Sequence, residues 1–135
     1  MLYCADEFRK RLDRFELTYK ILRSNEKEVI ISVRHKGKPY VCIFEDKDGR
    51  ILTIKLFIGK VPEERTAKAI ICANEINSKY KWVRLFVDEY NDLMAISEMV
   101  LTPSTAAAYT SELLVDRLIG ILEEKWDLID EALNG

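Results

Sequence analysis

Histidine occurs only once in this chain, at position 35. A Ser–His–Asp or Cys–His site would have to be built on His35, and no partner is spaced to position it. Cysteine occurs three times, at Cys4, Cys42 and Cys72, with no CxxC pair. One imidazole and three scattered thiols offer no zinc spacing. An odd cysteine count without a secretory leader points to a reducing compartment. The first residues carry Asp6, Glu7 and Arg9 and no apolar stretch, so no signal peptide is expected and the cytoplasm is the expected location. Three prolines and five glycines among 135 residues leave no linker-like segment. No apolar run exceeds about five residues, against the ~20 of a membrane helix, so no membrane span is expected. Phosphate-cradling glycine loops and RNP-like aromatic motifs are absent. An excess of one charge is missing too. There are 21 basic and 23 acidic residues, a net charge of −2, without the footprint of a nucleic-acid binder.

What is present is apolar mass. Hydrophobic residues make up 48% of the chain. A chain of this length buries roughly two thirds of its unfolded surface, enough for a real core. One domain over residues 1–135 is expected. Charge is unevenly spread. Residues 1–23 carry six basic groups against four acidic, and residues 112–135 carry seven acidic against two basic. Two complementary solvated helix faces account for this, and so would a steering field.

Phe8, Leu12, Phe15, Tyr19 and Leu22 step by four and three, which predicts an amphipathic helix over residues 5–23. The β-branched run 28–35 predicts a strand. A second strand follows Pro39, and a third runs over 50–58 after the Asp46–Gly49 turn. Glu63 and Glu64 behind Pro62 suit the positive end of a helix reaching about Lys79. Residues 82–88 and 93–101 read as two more strands. Thr102–Thr105 read as the hydroxyl-rich start of one long helix from Ser104 to Leu133. The predicted fold is α+β, in the order α-βββ-α-ββ-α. It is a five-stranded antiparallel sheet with its helices packed mainly on one face.

The last helix carries two adjacent apolar stripes, of which one includes Leu122, Trp126, Ile129 and Leu133. One stripe suffices to pack a helix on a sheet. The second either fills the core or meets a partner. Trp126 onward is the better interface candidate, because strands of ~20 Å cannot cover a ~45 Å helix. Leu122, Trp126, Ile129 and Leu133 are therefore the expected partner or dimer surface.

The remaining candidates are polar. His35, beside Arg34, Lys36 and Lys38, reads as an ordinary strand-end histidine. Cys42 and Cys72 alternate with apolar neighbours and read as small core residues. Asp46, Asp48 and Gly49 form a fragment of a calcium loop without its closing Glu, and read as a turn. Asp88, Glu89 and Asp92 read likewise. Asn74 and Asn77 lie one turn apart on one helix face. Their amides either tie backbone groups of a neighbouring loop or contact a ligand. No catalytic residue, metal site or cofactor is expected.

The helix AKAIICANEINSKY (67–80), the strand WVRLFVD (82–88), the YND hairpin (90–92), the strand LMAISEMVL (93–101) and the closing helix together resemble the YbjN-like proteins. That family's name assigns it to bacterial sensory transduction regulation. The resemblance implies the fold of the type III secretion chaperones and a noncatalytic module that binds an unidentified protein or peptide, as a homodimer. The expected function is thus a chaperone-like or regulatory adaptor. The alternative is a small-molecule or cation sensor with a pocket near Asn74, Asn77 and Tyr80.

Overall fold

A computed structural model describes residues 1–135. Helix α1 spans Tyr3–Arg14 and ends earlier than the apolar stripe predicts. Phe8 and Leu12 are buried as the stripe requires, but Phe15 is exposed. At Glu16 the backbone turns left-handed, with φ of 57°. The chain then enters a strand, β1 (Tyr19–Ser24). The sheet accordingly has six strands rather than five. Tyr19 and Ile21 owe their position to pairing with Val33 and Ile31 across the next strand. That long-range pairing overrides the local helical period.

The strands β2 (Glu28–His35), β3 (Lys38–Glu45) and β4 (Ile51–Lys60) form an antiparallel meander. Asp46, Asp48 and Gly49, all at positive φ, turn β3 into β4. A Cβ at Gly49 would lie 3.2 Å from both Leu2 and Phe44, so this turn needs glycine for space as well as for backbone freedom. A 3₁₀ turn at Glu63–Arg65 leads into α2 (Thr66–Asn77). Strands β5 (Arg84–Val87) and β6 (Asp92–Val100) close the sheet in the order β1-β2-β3-β4-β6-β5, antiparallel throughout.

The C-terminal helix is not one rod. It runs as α3 (Ala106–Ser111), a π-helical segment (Glu112–Ile119), α4 (Gly120–Glu124) and α5 (Trp126–Asn134). The break falls at Lys125, whose φ and ψ are −101° and 9°. The start also differs from the capped form expected. Thr105 precedes the helix with no side-chain cap bond, and its hydroxyl meets those of the Thr102 turn instead. The bend lets both apolar stripes find cover: α3 packs beside α1, and α5 lies along α2. The guanidinium of Arg65 donates to the carbonyls of Glu131 and Ala132 at 2.7 and 3.0 Å, closing the free end of α5.

Inward-facing strand residues and the buried faces of the helices form one core of 33 residues. Phe8 meets Phe44 there with ring centroids 5.7 Å apart. Two buried hydroxyls, of Ser97 and Thr110, have no hydrogen-bond partner. A lone buried hydroxyl costs about 1–3 kcal/mol. Thr110→Val keeps the β-branched shape and is expected to raise stability by about 1 kcal/mol, read as a higher midpoint in urea.

Candidate protein-binding surface

The strands alternate by burial, and the alternation separates two unlike faces. Inward, Val29, Ile31, Cys42, Phe44, Leu52, Ile54, Leu56, Leu93 and Ala95 are all buried. Outward, Ile30, Val41, Ile43, Thr53, Met94 and Ile96 are only partly covered. Ile51, Phe57, Phe86 and Val100 on that same side are 41, 50, 41 and 77% exposed. Apolar residues on both sides of a strand are the pattern of a sheet covered on both faces. Here one face is bare.

The two edges of the sheet are treated differently. At the β5 edge, Leu85 donates its N–H to Asn77 Oδ1 at 2.7 Å and accepts from Asn77 Nδ2 at 2.9 Å. The amide thus stands in for a seventh strand. The side chain of Asn77 is the structural tie that its spacing allowed. Asn74 is exposed, on the wall of a shallow groove between α2 and β5. Tyr80 does not line that groove. Burial, with Glu124 nearby, pushes its phenol up. Asn77→Ala would strand the Leu85 amide groups and is expected to cost about 1–2 kcal/mol, with faster hydrogen exchange at β5.

At the other edge, β1 has no strand beyond it, and five of its six residues are exposed. Ile21 and Leu22 are 39 and 53% exposed. Lys20, Arg23 and a bulge between Ile21 and Arg23 keep this edge from unspecific strand pairing. Before the start of β1, between the end of α1, the end of β2 at His35 and the π-helical segment, lies a cleft of about 590 Å³. Phe15, Leu17, Val115 and Ile119 line its apolar part, and Arg11, Glu112 and Asp116 its charged part. π-Helical turns are rare and occur often at functional sites.

The expected interface residues lie elsewhere. Leu122, Ile129 and Leu133 are 2, 0 and 5% exposed, inside the protomer's own core. The bend at Lys125 folds α5 back on α2, so that portion of the stripe never leaves the molecule. Trp126 alone is partly accessible, and the Lys38 ammonium sits 3.6 Å from its ring centroid.

His35 has a partner that no local pattern announces. Its Nε2 lies 2.9 Å from Glu123 on α4, with Lys36 Nζ 3.3 Å from the same oxygen. Hydrogen bonds from His35 and then Lys36 hold the Glu123 carboxyl below its usual range. Tyr40 lies in the same corner, and burial pushes its phenol up to about 12. The cluster is an electrostatic clasp between β2 and α4.

All three thiols are buried and free, and burial raises each. A raised thiol is a poor nucleophile. No group of three or more His, Cys, Asp or Glu side chains is placed to hold a metal ion. No helix is long and apolar enough to cross a membrane.

Comparison with known proteins fits this geometry. The model of the YbjN family, described as a putative bacterial sensory transduction regulator, matches residues 5–134. No curated protein matches by sequence. Among solved structures, YbjN of E. coli, a putative transcription regulator, superposes with a TM-score of 0.55 at 13% identity, covering 88% of this chain and 89% of that one. The type III secretion chaperone SycH of Yersinia pestis, solved in complex with a stable fragment of YscM2, gives 0.55 at 12% identity, covering 89% and 98%. The heterodimeric ExoU–SpcU complex of the Pseudomonas aeruginosa type III secretion system gives 0.49 at 17% identity, covering 93% and 96%. The fold is shared with E. coli YbjN and with the SycH structure. The match over 5–134 settles the family: this chain belongs to the YbjN family.

Proposed function

We propose that this chain is a noncatalytic protein-binding module, a chaperone-like or regulatory adaptor that works as a homodimer. One observation carries the reading: the sheet is left open on one apolar face and along one edge. Large exposed apolar patches mark interaction sites. An open strand edge can accept an extended segment through backbone hydrogen bonds, with pockets beside it reading side chains. The cleft of Phe15, Leu17 and Val115 lies where the chain enters β1, at the end of that edge. The buried raised thiols and the single clasped histidine support a role without covalent chemistry. SycH was solved with a protein fragment bound, which accords with polypeptide binding on this fold.

The test compares capture by crosslinking in the native cell. Ile21→Pro removes a backbone donor from the open side of the edge strand, because Thr18 and Lys20 turn their backbone groups toward β2 and Ile21 turns its own away. A polypeptide captured by the wild-type protein and lost with Ile21→Pro is the expected result. The same capture by both forms would contradict binding at this edge.

The same cleft supports a second reading, a small-molecule sensor. A ligand seated there would raise the unfolding midpoint. A metabolite screen that shifts the wild-type protein but not Val115→Glu would favour it.

A further inference from the structure

The strand registers place four inward-facing residues in one line across the sheet. Ile31 pairs with Cys42, Cys42 with Ile54, and Ile54 with Ser97. The bare outward face has a symmetry about this line. One residue to either side lie Val41 and Ile43 on β3, and Lys55 and Thr53 on β4, with Ile96 and Glu98 on β6. Three residues to either side lie Arg34 and Glu28 on β2, Phe57 and Ile51 on β4, and Met94 and Val100 on β6. Apart from Ile96, which would face Glu98, the two flanking positions of each pair could face each other. Four strands ~4.8 Å apart, carrying seven residues at ~3.4 Å each, make the face roughly 20 Å by 24 Å. That is at the size of the largest patches monomers leave bare, ~300–600 Å².

We propose that a second copy of this chain docks on this face, about a two-fold axis running across the strands over the Ile31–Cys42–Ile54–Ser97 line. The proposal rests on the homodimer reading above and names its surface. A two-fold axis there lays each strand over its own counterpart, reversed. Phe57 then meets Ile51 of the second copy, Met94 meets its Val100, and Val41 meets its Ile43. Arg34 comes over its Glu28. Lys55, which has no carboxylate partner within its own chain, comes beside its Thr53 and Glu98. The alternative axis, along the strands between β3 and β4, is worse. It lays Arg34 on Met94 and Lys55 on Val41, and brings neither near a carboxylate of the second copy. Aligned sheets cross at about 30°, which moves β2 by a few ångströms against its counterpart. The side chains of Arg34 and Glu28 are long enough to span that. Glu28 and Glu98 are also held by Arg23 and Arg84 of the same chain at 3.0 and 3.3 Å, so each crossing makes a network, not a lone pair. Opposed charges at such an interface select register and orientation.

The experiment measures the dimer dissociation constant by sedimentation for the wild type, Lys55→Glu, Glu98→Lys and the double variant, with circular dichroism as a check of folding. Each single change is expected to weaken the dimer by about tenfold or more. The double change should return it to within about threefold of the wild type, because the two residues couple. Arg34→Glu and Glu28→Arg form a second swap should either first variant fail to fold. A wild-type dimer that neither swap disturbs would overturn this face and leave the homodimer reading standing. Weakening without rescue by either double swap would overturn the axis. A wild-type monomer at every concentration would overturn both, leaving the face to a different protein.

Discussion

Leu133→Asp is expected to unfold the protein rather than merely dissociate a dimer. Leu133 is 5% exposed, and one of its methyl carbons lies 3.1 Å from where a Cβ on Gly59 would stand. β4 is bare at Gly59, and Leu133 fills the space. A carboxylate there loses the burial of a leucine and is itself taken out of water. Arg65, at this end of α5, is already committed to the carbonyls of Glu131 and Ala132. The two losses together come to about 4 kcal/mol or more. Against the usual 5–15 kcal/mol of a whole domain, that removes much of the native population. The measurement is far-ultraviolet circular dichroism with temperature. Trp126→Ala is the control: the ring is partly exposed under the Lys38 ammonium, and the variant should stay folded. A folded Leu133→Asp protein with altered mass would return this helix to the surface and contradict the burial described above.

Phe8→Ala should have the second large effect. Phe8 is fully buried and stacks at a tilt on Phe44, pinning α1 to the far end of β3. Removing a buried phenyl ring costs about 3–5 kcal/mol, through lost transfer energy and the cavity left behind. At roughly 4 °C per kcal/mol the midpoint should fall by some 12–20 °C. The cleft at the entry to β1 is walled by the end of α1, so the loss also reaches that cleft. A midpoint within about 3 °C of the wild type would mean that α1 is not part of the cooperative core.

These effects also show what the sequence could reveal. The runs 28–35 and 93–101 read correctly as strands: β-branched residues crowd the first, and both are short apolar runs bounded by turn residues. Residues 5–23 misled, because Phe8, Leu12, Phe15, Tyr19 and Leu22 match a helical stripe. The chain leaves the helix at Glu16, and only pairing with β2 makes Tyr19–Ser24 a strand. Thr18, Tyr19 and Ile21 carried the one local hint, being favoured in strands. The break at Lys125 has no proline or glycine to announce it. It follows from the need of two apolar stripes for two different surfaces. Leu122, Ile129 and Leu133 of the expected interface turn inward for the same reason. A stripe's width tells how much must be buried, not whether the same chain buries it. The Asn77 tie was legible as one of two alternatives. The His35–Glu123 contact spans 88 residues and was not legible at all. The bare sheet face was half legible: near-continuous apolar runs such as Tyr40–Phe44 put apolar residues on both sides of a strand, but do not tell which side the helices leave open.

The solution mass of the pure protein, measured by light scattering over a hundredfold dilution, tests the homodimeric binding module most directly. The bare apolar face predicts a mass near twice the 15.7 kDa of one chain, held through most of the dilution. A mass of one chain at every concentration would contradict it.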